Sequence, residues 1–122
     1  MEVKKYIYIH DNAMPYEALS SFLLWCNTLK NFEDASIFNK GEVKTIKTIR
    51  DVQMLTLPKN HKSKTLIHWQ RVLINIFRKS LMMYREKFSF IGFNPEEFRN
   101  IDILKYYEGN HFQLHTDHAV KE

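Results

Sequence analysis

Three of the chain's six histidines sit with an aspartate in one short run, His111-Phe112-Gln113-Leu114-His115-Thr116-Asp117-His118. On an extended strand, residues two apart project from the same face, so His115 and Asp117 would stand side by side while Thr116 points away. One imidazole nitrogen and one carboxylate oxygen could then meet a single metal ion. Such a pair belongs to the set of two histidines and one carboxylate that leaves open positions on Fe(II) for a cosubstrate and dioxygen. A catalytic zinc site can use the same donors, which makes a zinc-dependent hydrolase the competing chemistry. Structural zinc leans on closely spaced cysteines, and the sequence has only Cys26. Spacing alone does not separate iron from zinc, and an H-x-D on a solvated strand edge is the plain alternative to both.

The residues leading into this run point further. An apolar stretch, Ile101-Asp102-Ile103-Leu104-Lys105, ends in Tyr106, three residues before Gly109, and Phe112 lies three before His115. This arrangement resembles the segment of prolyl 4-hydroxylase-like, Fe(II)- and 2-oxoglutarate-dependent dioxygenases in which a tyrosine-ended strand, a glycine turn and an aromatic residue precede H-x-D. Upstream, Arg50 ahead of an apolar strand, and a long helix before the final quarter, are similar to the same family in order. The resemblance implies that His115 and Asp117 ligate Fe(II). It also implies that Tyr106, facing inward, hydrogen-bonds a carboxylate of 2-oxoglutarate; a packed aromatic is the alternative for Tyr106. His118 would point opposite to Asp117, and His111 lies two pleats before His115, so both are read as neighbours of the site or surface residues, with substitution as ligands the alternative. The implied chemistry is oxidative decarboxylation of 2-oxoglutarate with dioxygen, hydroxylating a peptide or small-molecule substrate, with ascorbate as an added reductant.

The family places a second histidine and then a lysine or arginine after H-x-D. Here only His118, Ala119, Val120, Lys121 and Glu122 follow, so neither residue is assigned. The expectation is a single domain over 1–122, incomplete at its C-terminus and inactive alone; a complete small protein that has lost catalysis is the other explanation.

Positioning these residues requires a scaffold. Val3 to His10 alternates β-branched and aromatic residues and meets a turn at Asp11-Asn12, which predicts a strand. Leu19, Phe22, Leu23, Cys26 and Leu29 recur at helical spacing after Pro15, predicting a helix over roughly 15–29. Val43 to Leu57 reads as two strand segments, the second over Asp51 to Leu57. Leu66, Trp69, Leu73, Ile76, Phe77, Leu81, Tyr84 and Phe88 hold one face for about six turns, predicting a helix over roughly 63–88 whose stripe is a core face. Ile101 to Tyr107 and His111 to Asp117, separated by Glu108-Gly109-Asn110, predict a C-terminal β-hairpin. The fold class expected is α+β. By resemblance it is the N-terminal part of a double-stranded β-helix, or jelly roll, supported by the two helices, although only about five of the roughly eight strands of that architecture can be counted.

The bulk composition bounds the rest. Hydrophobic residues at 44% of 122 positions allow one modest core. One cysteine excludes an intrachain disulfide, fits a reducing cytoplasm, and in its apolar setting reads as a packed thiol. No stretch approaches the roughly 20 apolar residues of a membrane span. The net charge of +4, with basic residues spread along the chain, leaves a non-catalytic binding domain for an anionic partner as the rival function and does not favour nucleic acid as the main partner.

Overall fold

The computed structural model describes residues 2–39, 42–47, 50–58, 62–90 and 100–114. The architecture is α+β: two helices and short strands. It divides into two compact units, Met1–Leu29 with Pro58–Ile101, and Lys30–Leu57 with Asp102–Glu122. Among the described residues no helix is long and apolar enough to cross a membrane.

The first unit is built on two helices, α1 over Tyr16–Thr28 and α2 over Lys64–Lys87, close to the expected spans. Pro15, with its φ fixed, stands at the α1 N-cap, and its carbonyl accepts from Leu19 N at 2.9 Å. Ser63 caps α2 by accepting from Leu66 N at 3.3 Å, which satisfies an amide the first turn leaves without a partner. The predicted stripe is a core face over the first half of α2, where Leu66, Trp69 and Leu73 are buried, while Phe77 farther along it is exposed. Trp69 meets α1 through Phe22, with ring centroids 5.3 Å apart, and through Trp25, stacked at 6.1 Å. These offset aromatic pairs hold a helix that buries none of its own residues fully.

The opening strand is not formed. Val3–Tyr6 winds into a 3-10 turn, Ile7 is extended, and 7–10 form no strand. The alternation survives as packing, with Tyr6, Tyr8 and His10 half-buried and Ile7 and Ile9 exposed. Its polar groups go to α2 side chains: the Tyr84 hydroxyl donates to the Tyr6 carbonyl at 2.7 Å, and His10 Nδ1 lies 2.6 Å from Ser80 Oγ. The segment reads as a strand because half-burial on any surface selects the same period of two. The turn at Asp11-Asn12 is present, with Asn12 at φ 54°, a left-handed value that asparagine tolerates.

The second unit carries the strands. β1 (Glu33–Asp34) pairs antiparallel with β5 (Gln53–Leu57), which pairs on its other side with β6 (Ile101–Lys105). β2 (Ile37–Asn39) and β3 (Glu42–Lys44) form an antiparallel ribbon. β4 (Arg50–Asp51) pairs antiparallel with β7 (His111–Phe112), placing Arg50 opposite Phe112 and Asp51 opposite His111. Val52, between β4 and β5, is buried, as are Ala35 and Leu57. The Ala35 amide donates to the Val52 carbonyl at 2.8 Å and so continues the β1–β5 pairing past its last strand residue.

The expected C-terminal hairpin is therefore replaced by a different arrangement. Among the described residues β6 and β7 do not pair with each other; they pair with β5 and β4, successive parts of the Arg50–Leu57 stretch, and residues 115–117 of the expected second strand lie outside the described residues. The intervening turn explains this. Asn110 N donates to Tyr107 O at 2.9 Å, and Gly109 has φ +86° while Glu108 is not left-handed, the signature of a type II turn. Turns of that type splay flanking strands, whereas tight hairpins use the mirror-image types. Asn110 Oδ1 also accepts from Tyr107 N at 2.8 Å and closes the turn on itself.

Candidate functional site

The candidate site lies along β6, the Tyr107–Asn110 turn and β7. On β6, Ile101, Ile103 and Lys105 are half-buried while Asp102 and Leu104 are exposed. Asp102 Oδ1 accepts from the Thr56 hydroxyl at 2.6 Å, a side-chain tie between β6 and β5. Lys105 extends its ammonium between two rings, 5.3 Å from the Phe32 centroid and 5.2 Å from that of Tyr107, which orders the side chain over aromatic faces.

Tyr106 follows β6 in the exposed phase. It is 50% exposed, so the inward orientation expected for it is not found. The strand ends at Lys105, and Tyr107, next in its half-buried phase, is exposed as well, so both tyrosines lie toward solvent. Phe112 is half-buried, opposite Arg50. His115 and Asp117, the expected ligand pair, lie outside the described residues, as does His118. His111, exposed on β7, is the one histidine of the run that is described. Among the described residues, no three histidine, cysteine, aspartate or glutamate side chains converge as a metal site.

Arg50 is the functional-looking residue whose role sequence reasoning undervalued. Its guanidinium carbon lies 4.5 Å from the Phe112 centroid, and Nη1 donates to the Ser36 carbonyl at 3.1 Å. Its Nε is buried with no hydrogen-bond partner. A buried donor without an acceptor costs about 1–3 kcal/mol, and no carboxylate among the described residues forms an ion pair with Arg50. An uncompensated cation on the strand facing Phe112 suits an anionic group nearby, and the donor chemistry therefore fits a carboxylate cosubstrate. The signal in the sequence was an arginine heading an apolar strand; its pairing with Phe112 needed the register.

A second feature lies in the first unit. An open groove of about 370 Å³ is lined by Tyr8, His10, Phe77, Ser80, Leu81 and Tyr84. The His10–Ser80 hydrogen bond gives this mostly apolar groove one polar end. A serine beside a histidine can be a nucleophile and its base. Acyl transfer also needs donors aimed at a developing oxyanion, and the backbone amides around Ser80 are spent inside α2. The pair is a tie between the N-terminal segment and the helix. Cys26 matches the expected packed thiol: burial pushes its pKa above the ordinary thiol value, opposed by a backbone hydrogen bond.

No protein-family model, curated protein or solved structure matches this chain.

Proposed function

We propose that the chain carries part of the iron site of a 2-oxoglutarate-dependent dioxygenase of the prolyl 4-hydroxylase-like kind, on the N-terminal part of a jelly roll. The observation that carries the reading is the motif order: Tyr106, a left-handed Gly109, Phe112 against Arg50, then His115-Thr116-Asp117.

In this reading His115 and Asp117 hold Fe(II), supplying a nitrogen and an oxygen donor. Tyr106, at the position of the family's tyrosine, would donate its phenolic hydrogen to a cosubstrate carboxylate on turning inward from its exposed position. Arg50 contributes positive charge beside Phe112 and fixes the strand that leads into the ligand pair. Iron and 2-oxoglutarate, when bound, would supply the oxidising power, with succinate and carbon dioxide as co-products. The protein's own part is to orient ligand and substrate and to restrict water.

In a longer protein that supplies the second histidine and the basic residue after Asp117, anaerobic addition of Fe(II) and 2-oxoglutarate together is expected to raise a visible charge-transfer band that neither produces alone and that Asp117→Ala removes. Absence of the band, or uptake of zinc with hydrolytic activity indifferent to 2-oxoglutarate, sinks the reading.

A further inference from the structure

Lys64, Arg71, Arg78 and Arg85 recur every seventh residue along α2, and all four are exposed. Seven residues advance about 10.5 Å and fall about 20° short of two full turns, so the four charges form a slowly winding row about 31 Å long. The positions between them on that face are His68, Asn75 and Met82, also exposed. Lys79 flanks the row, and the helix has one acid, Glu86, near its C-terminal end. Among the described residues the ion pair found is Lys47–Asp34, in the other unit, so no carboxylate there neutralises the row.

Two further observations set this face apart from an ordinary solvated helix surface. Exposed helices are commonly laced with acid–base pairs four residues apart, and this row has Lys64–His68, Arg71–Asn75 and Arg78–Met82 at that spacing. The helix also places Lys64 in its first turn with no acid there, against the preference of the helix dipole for negative charge at that end.

We infer that this face of α2 is a docking surface for the phosphate backbone of a nucleic-acid duplex. Guanidinium groups grip phosphate oxygens as planar forks, and the interleaved His68 and Asn75 add hydrogen-bonding groups of the kind that contact backbone. A row of four cations about 31 Å long, with no acid between them, is complementary in charge to the dense phosphate array of a duplex. An anionic membrane fits less well, because surface helices partition by apolar side chains flanking their charges. The apolar face of α2 is turned into its own unit through Leu66, Trp69 and Leu73. This inference is independent of the iron site.

The test is titration of a labelled duplex of about twenty base pairs, roughly two helical turns, with the full chain over a range of salt. Four phosphate contacts predict a slope of log K against log salt of about −3.6. Arg71→Gln with Arg78→Gln should weaken that slope by about 2, while Lys30→Gln with Lys47→Gln, which removes the same charge from exposed positions in the other unit, should leave it unchanged. Both pairs are surface changes, and unaltered circular dichroism shows the fold intact. No association at low salt, equal loss in both double variants, or row-dependent binding to phosphatidylserine vesicles without binding to the duplex would each overturn the inference.

Discussion

Arg50 and Phe112 face each other across the β4–β7 pair, with the guanidinium carbon 4.5 Å from the ring centroid. This contact joins a strand before α2 to the residue three positions ahead of His115. The same guanidinium anchors to the Ser36 carbonyl, so one side chain ties three segments. Cation–π contacts contribute about 0.5–2 kcal/mol, more as they are desolvated, and a hydrogen bond from a charged donor about 1.5–3 kcal/mol. Because Nε has no acceptor, part of that gain is offset. Arg50→Ala should destabilise by roughly 1–3 kcal/mol, read as a lower urea midpoint at unchanged slope. Arg50→Met, which keeps the stem over Phe112 and removes the orphaned donor, should cost less. A variant pair in which methionine is as damaging as alanine would show that charge, not packing, governs the site.

The turn that leads into β7 gives a second prediction. Gly109 has φ +86°, and a β-carbon added there would meet no atom within 4 Å. Gly109→Ala should therefore be destabilising through backbone conformation alone, by about 1–2 kcal/mol. Gly109→Asn should recover part of the loss, since asparagine tolerates left-handed backbone better. Chemical denaturation of both variants measures the difference. An alanine variant as stable as the parent would mean that the turn is not type II in solution.

The elements were legible where one physical signal dominated. The stripe from Leu66 to Phe88 gives α2 nearly to the residue, and Pro15 marks the start of α1. Val3 to His10 was misread because period-two burial arises against a helix as readily as within a sheet. The C-terminal hairpin was misread because strand length and a glycine turn do not reveal which mirror form the turn takes; the φ of Gly109 decides that. Tyr106 lies past the end of β6, where the alternation that sorts Ile101 to Lys105 between inner and outer sides no longer holds, and it is exposed like its neighbour Tyr107. At the site, Arg50 was visible as a residue type but its partner was not, since the contact spans 62 positions of sequence. The cationic row on α2 was spelled out in the sequence at a spacing of seven, but dispersed charge is not recognisable as a row until the helix is given.

The Cys26 thiol supplies a prediction about pH. Burial raises its pKa above the ordinary thiol value, with desolvation the larger cause and a backbone hydrogen bond opposing it. A folded protein that holds this proton more tightly than the unfolded chain loses stability once the unfolded thiol ionises. The stability linked to Cys26 is thus fully present below about pH 9 and declines as pH rises through the folded value. The same shift lowers the thiolate fraction at neutral pH, and the thiolate is the reactive form. Cys26 should therefore react with a thiol reagent more slowly in the native protein than in urea at the same pH. Cys26→Ser would flatten the alkaline part of the stability profile, because a hydroxyl does not ionise in that range. Native reactivity equal to that of the unfolded chain would mean that α1 opens readily from Trp69 and that the ring contacts of Phe22 and Trp25 do not hold the helix closed.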